Sequence, residues 1–197
     1  MHSLIDGHPE VSTLPSIYFS EFFDHFTWEK IIVGGWEEMA DRFAIIYDVL
    51  FDASSNIKIP TKGYQYINNI GQKEGMTTVG TKRDEVLSVN KNIFIKELKQ
   101  LMTSYDQLDQ FTFFKLVHSA YEITLKNPKE KNNIFYHIHN PDAYAQFNFL
   151  KLAPNTNWLV MVREPLQSCE SWVYKKFQEN DYGIIANKIF QMLFEVD

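Results

Sequence analysis

Asn157-Trp-Leu-Val-Met-Val-Arg-Glu-Pro-Leu-Gln-Ser-Cys-Glu-Ser-Trp-Val-Tyr174 is the stretch on which the reading of the fold turns. Trp158 to Val162 is a short unbroken apolar run, the pattern of a strand buried in a parallel sheet. Arg163 closes the run, and Pro165 suits the first position of a helix, where a missing N–H costs nothing. Leu166, Cys169, Val173 and Phe177 then recur at helical spacing, so the expectation is a helix packed back over the strand. A lone arginine at the carboxyl end of such a strand stands where open α/β sheets bind ligands. Ser168 and Ser171 lie one turn apart on the helix that follows. A guanidinium and hydroxyls beside a helix start suit a phosphate.

Val162-Arg163-Glu164-Pro165, with Ser171 eight residues after the arginine, resembles the 3′-phosphate-binding element of sulfotransferases. Leu4-Ile5-Asp6-Gly7-His8-Pro9-Glu10-Val11 is similar to the segment behind the phosphate-binding loop of bacterial and protein-tyrosine sulfotransferases. Ala153-Pro154-Asn155-Thr156-Asn157-Trp158 resembles that family's lead into the arginine-bearing strand. The three matches fall in the family's order and span most of the chain. The resemblance implies transfer of a sulfuryl group from 3′-phosphoadenosine 5′-phosphosulfate (PAPS) to a hydroxyl or amine. It implies that Arg163 and Ser171 hold the 3′-phosphate, with Ser168 assisting. It also implies a fold like that of the P-loop nucleotide hydrolases, and an acceptor that is a glycan, small molecule, lipid or protein.

The match has gaps. In the resembled family a glycine-rich loop for the 5′-phosphosulfate precedes the Leu4–Val11 segment, and roughly a hundred further residues follow the C-terminal helix. Neither lies within this sequence, so the expectation is one domain over 1–197, incomplete at both ends. The catalytic glutamate of protein-tyrosine sulfotransferases would fall near Pro15 and Ser16, which carry no carboxylate, and Glu21 is displaced from that place. The family's lysine-bearing strand end is matched by His139-Asn140-Pro141, where the lysine is missing but a histidine stands close by. His139, with an ordinary pKa near 6.5, is therefore the expected base. The alternative is an inactive nucleotide-binding or protein-interaction module derived from the same fold.

Composition sets bounds around this reading. The 197 residues are 45% hydrophobic, enough for one domain with a sizeable core. The formal net charge of −6 argues against nucleic-acid or anionic-membrane binding and leaves room for one local basic pocket. A single cysteine, Cys169, excludes an internal disulfide framework. No apolar run approaches the roughly 20 residues of a membrane span, and the expected location is cytoplasmic. His137-x-His139 places two rings on one strand face, yet no third ligand is near in sequence, so no metal is expected.

Periodicity supplies the remaining elements. A helix opens at Pro15-Ser16 and runs to about Phe26, and another spans Trp36 to Phe51 with Met39, Phe43, Ile46, Tyr47 and Leu50 inward. Asp52 to Arg83, rich in Ser, Asn, Gly and Lys, reads as an irregular loop or lid. Helices are expected over 84–103, with Val86, Val89, Ile93, Leu98 and Leu101 inward, and over 105–126, opened by Ser104 and Gln107 as a capping box. Phe111, Phe114, Val117, Ala120, Tyr121 and Leu125 form a core stripe on the latter, with His118 beside it as a structural histidine. A strand follows over Asn133–His139, and a last helix over 181–194. The fold class is thus α/β: three-layer and helix-rich, with a short parallel sheet flanked by helices.

Overall fold

The computed structural model describes residues 5, 7–15, 17–58, 66–67, 69–127, 131–138, 143–159, 183, 186–187 and 190. The chain divides into two compact units, Met1–Pro154 and Asn155–Asp197. The first is helix-rich around a two-stranded parallel pair, an α/β arrangement. Its strands β1 (Val11–Ser12) and β4 (Asn133–Ile134) pair with Val11 opposite Asn133 and Ser12 opposite Ile134. The Phe135 N–H donates to the Ser12 carbonyl at 2.9 Å, one residue past β4. Gly7 precedes β1 with φ 78°, the left-handed geometry that ends a helix and that glycine adopts without strain.

The segment after β1 departs from the expected helix through Phe26. It is a 3₁₀ helix over Ile17–Phe23, and the α-helix starts afresh as α1 (His25–Ile32). Asp24 makes the break: its backbone is extended and its carboxylate accepts the Phe26 N–H at 2.8 Å, capping α1. The helix expected over Trp36–Phe51 is also divided, into a 3₁₀ turn (Trp36–Glu38), α2 (Met39–Ile46) and a second 3₁₀ turn (Asp48–Leu50). Its inward residues Met39, Phe43, Tyr47 and Leu50 are buried as the spacing predicts.

Between α1 and α2, Arg42 ties the turn. Its guanidinium donates to the Ile31 carbonyl at 2.6 Å and to the Gly35 carbonyl, and it pairs with Glu38 at 2.9 Å.

Short elements fill the stretch read as a lid. β2 (Ile57–Lys58) and β3 (Tyr66–Ile67) pair antiparallel, α3 spans Ile70–Lys73, and single bridges join Asp52 to Ser88 and Val79 to Glu85. Ile70 and Met76 are buried in the common core. A Cβ on Gly71 would fall 1.9 Å from the Ala53 carbonyl oxygen. That close backbone approach accounts for one of the glycines that made the stretch look structureless.

Two helix starts move later than periodicity suggests, because side-chain caps fix them. Asn90 caps α4 (Lys91–Met102) by accepting the Ile93 N–H at 3.1 Å, and Val86 and Ile93 are exposed rather than inward. Asp109, not Ser104, caps α5 (Gln110–Thr124) by accepting the Thr112 N–H at 2.6 Å. The α5 stripe is core at Phe114, Val117, Ala120 and Tyr121, while Leu125, just past the helix end, is 45% exposed. The last helix of this unit, α6, spans Ala143–Leu152. In the second unit Gly183, Ala186, Asn187 and Phe190 are helical, as the spacing predicts. Of the apolar run Trp158–Val162, the structure describes Trp158 and Leu159, and both are exposed and irregular rather than buried in a strand.

The core of the first unit is aromatic. Phe19 stacks on Phe114 at 5.6 Å and meets Tyr47, Phe43 and Tyr136 edge-on. Phe22 lies between Phe43, Phe113 and Phe114, and Phe23 packs on Phe149 of α6 at 4.7 Å. Each such pair adds about 0.5–1.5 kcal/mol to the burial of its area. The 3₁₀ helix Ile17–Phe23 carries three of these rings, and its carbonyls receive donors from distant side chains. Gln110 donates to the Phe22 carbonyl at 2.8 Å, Asn148 to the Phe23 carbonyl at 2.8 Å, and Tyr136 to the Phe19 carbonyl at 3.2 Å. Asn148 also donates to the Gln110 amide oxygen at 2.9 Å. Replacing Gln110 by the similarly sized Met removes two of these bonds inside the core. The expected cost is about 1–3 kcal/mol in urea unfolding, and an unchanged midpoint contradicts this role.

Candidate functional site

The residues to which the sequence assigns chemistry, His139, Arg163, Ser168 and Ser171, lie outside the described residues. His8, in the segment before β1, accepts the Glu10 N–H at its Nδ1 at 3.2 Å. Among the described residues no group of three or more His, Cys, Asp or Glu side chains is placed to hold a metal ion. No described helix is long and apolar enough to cross a membrane.

Two polar clusters emerge whose members the sequence did not bring together. The first is buried in the aromatic core beyond the carboxyl end of β1. Glu21, 8% exposed on the 3₁₀ helix, lies near the phenols of Tyr47 and Tyr136. Burial, then the Glu21 carboxylate, pushes the Tyr47 phenol well above its ordinary value. Burial also dominates at Tyr136, with Tyr47 and Glu21 adding to the rise. The Tyr47 and Thr27 hydroxyls are both buried, and Thr27 beside the Tyr47 phenol offsets part of that rise. The one signal in sequence is a carboxylate between Phe19 and Phe22-Phe23, where a core helix would carry an apolar or exposed residue.

The second cluster flanks the parallel pair. Lys115, His118, Ser119, Glu122 and Ile123 follow one another at i, i+3, i+4, i+7 and i+8, which puts them on one face of α5. That face, with Ser12 of β1, Ile134 of β4, and Asn127, Lys131 and Asn132 of the connecting segment, lines a cavity of about 540 Å³. His118 is buried, and its Nδ1 lies 3.0 Å from the Ser12 hydroxyl. Its Nε2 is buried without a hydrogen-bond partner among the described residues. Glu122 accepts from Lys131 at 3.0 Å and from Asn127, and the Lys131 and Glu122 side chains are 14% and 12% exposed. The histidine expected to be structural is therefore so at Nδ1. Its pairing with Ser12, 106 positions away, was not visible in any local pattern.

Burial, and secondarily the Lys131 ammonium, lowers the His118 pKa from 6.5 to about 3. Above pH 6.5 the ring is neutral folded and unfolded, and it contributes no pH dependence. From 6.5 down to about 3 the unfolded chain takes up the proton first, so stability falls as pH falls. The slope approaches about 1.4 kcal/mol per pH unit. Urea unfolding at pH 7.5 and pH 5 checks this: His118→Gln is expected to narrow the gap between the two conditions. An equal gap in the parent and the variant contradicts it.

Compared with protein families, with curated proteins and with solved structures, the chain matches none of them.

Proposed function

We propose that this chain is a PAPS-dependent sulfotransferase with the three-layer architecture of the P-loop nucleotide hydrolases. The observation that carries the reading is the sequence order Arg163, Pro165, Ser171, a guanidinium and a hydroxyl eight residues apart with a proline suited to a helix start between them. Two features of the first unit support it. β1 and β4 run parallel, as this architecture requires. The chain also leaves β4 toward His139, five residues on, so a titratable group follows the carboxyl end of a parallel strand.

In this reading Arg163 grips the nucleotide 3′-phosphate through charge-assisted hydrogen bonds of about 1.5–3 kcal/mol each. Ser171 adds a neutral hydroxyl bond, with Ser168 beside it. The acceptor hydroxyl attacks sulfur in line. A new S–O bond forms as the bond to the 5′-phosphate breaks, and 3′,5′-adenosine bisphosphate leaves. His139 takes the acceptor proton. The acceptor class is a hydroxyl-bearing (or amine) glycan, small molecule, lipid or protein, and the setting is cytoplasmic. No metal has a role in this scheme.

The test is release of the bisphosphate from PAPS by the chain in the presence of hydroxyl acceptors. His139→Ala is expected to lower kcat about 100-fold or more, with the affinity for the bisphosphate unchanged. Turnover undiminished in that variant removes His139 from the mechanism. A folded parent chain that neither binds PAPS nor releases the bisphosphate contradicts the sulfotransferase reading.

A further inference from the structure

The cavity beside the parallel pair holds a charge pattern unlike the protein around it. The chain carries a formal net charge of −6. The cavity lining carries two ammonium groups, Lys115 and Lys131, and one carboxylate, Glu122. His118 is neutral there, so the lining sums to +1. Lys131 and Asn127 already occupy Glu122, which leaves the carboxylate no open demand for a cation. Lys115 has a different situation: its Nζ lies 4.9 Å over its own helix's Phe111 ring, and no carboxylate pairs with it among the described residues. An exposed ammonium without a carboxylate partner at the edge of a concave surface attracts an anion.

The rest of the lining specifies more than charge. Ile123 and Ile134 both expose their side chains at the cavity, giving it apolar walls. The Ser119 hydroxyl donates to the Lys115 carbonyl at 3.2 Å, and its oxygen remains able to accept. A volume of about 540 Å³ falls in the range of small-molecule sites, about 300–1,000 Å³. A polyanion such as a nucleotide triphosphate fits this lining poorly, because Glu122 stands among its few charges. A neutral apolar compound would leave Lys115 unanswered.

We propose that this cavity binds a small organic monoanion, with its carboxylate or ester-sulfate group toward Lys115 and its carbon body between Ile123 and Ile134. The site is built wholly from residues between Ser12 and Ile134, and it goes beyond the sulfuryl-transfer reading without resting on it. It answers the same physical demand whether or not Arg163 holds a nucleotide.

The experiment is a nuclear magnetic resonance titration of the full chain with ¹³C-labelled histidine, following the His118 ring. The probes are 4-hydroxybenzoate, its neutral counterpart 4-hydroxybenzamide, and inorganic sulfate, an anion without a carbon body. A saturable His118 shift with 4-hydroxybenzoate is expected in the millimolar range. Binding is expected to be about tenfold weaker for 4-hydroxybenzamide, and for 4-hydroxybenzoate against Lys115→Gln, as loss of one charge-assisted contact implies. Ser119→Trp, a change at an exposed helix position that fills the cavity, is expected to abolish the shift while the other histidine signals keep their positions. The proposal is overturned by no saturable shift with 4-hydroxybenzoate. It is equally overturned by equal affinity for the benzamide, by binding indifferent to Lys115→Gln, or by a sulfate response as strong as that of the benzoate. None of these results bears on bisphosphate binding at Arg163, so failure here is distinguishable from failure of the sulfotransferase reading.

Discussion

Satisfying the carbonyls of a buried 3₁₀ helix is the constraint from which much of the first unit follows. Ile17–Phe23 places Phe19, Phe22 and Phe23 at the centre of the aromatic core. A 3₁₀ helix leaves carbonyls unpaired at its end, and in an apolar surrounding each unpaired carbonyl costs on the order of 1–3 kcal/mol. Gln110 and Asn148 reach in from α5 and from α6 to supply donors at that end, and Tyr136, from the segment after β4, adds a further donor at the Phe19 carbonyl within the helix. The second 3₁₀ turn repeats the device, since the Tyr121 hydroxyl donates to the Leu50 carbonyl at 2.7 Å. Those four side chains fix where the surrounding elements sit.

The same bonds connect the core to the parallel pair. β1 leads directly into the 3₁₀ helix, and Tyr136 lies two residues beyond β4. The ring of Tyr136 packs on Phe23, Phe114 and Phe149 while its hydroxyl is held by Phe19, so the chain leaving β4 is anchored through both ends of one side chain. On the other side of β1, the Ser12 hydroxyl meets His118 of α5. A strand pair of two residues each is too short to hold itself together; flanking side chains fix its place. Open α/β folds bind their ligands beyond the carboxyl ends of such parallel strands.

Sequence showed where the core lies better than where its elements begin. The spacing of Phe43, Tyr47 and Leu50, and of Phe114, Val117 and Tyr121, marked buried faces correctly, since period alone decides which side of a helix is apolar. Boundaries were less visible. Asp24, Asn90 and Asp109 each start a helix through a side-chain bond to the backbone, whereas the expected capping box lay at Ser104 and Gln107. The 3₁₀ geometry of Ile17–Phe23 was not legible, because it is stabilised by donors 88 to 125 positions away. The grouping of Glu21 with Tyr47 and Tyr136, and of Ser12 with His118, was not visible for the same reason: the partners are remote in sequence. Arg163, Ser168, Ser171 and His139 stand on their motif and spacing.

The central functional claim is that Arg163 and Ser171 form a receptor for a ribose 3′-phosphate. Calorimetric titration of the folded chain with 3′,5′-adenosine bisphosphate and with adenosine 5′-monophosphate isolates that phosphate, because the two ligands differ in nothing else. Tighter binding of the bisphosphate is expected, by about tenfold or more for one charge-assisted contact, with collapse of that preference in Arg163→Ala. Equal affinity for the two nucleotides, or a preference that survives Arg163→Ala, would contradict it.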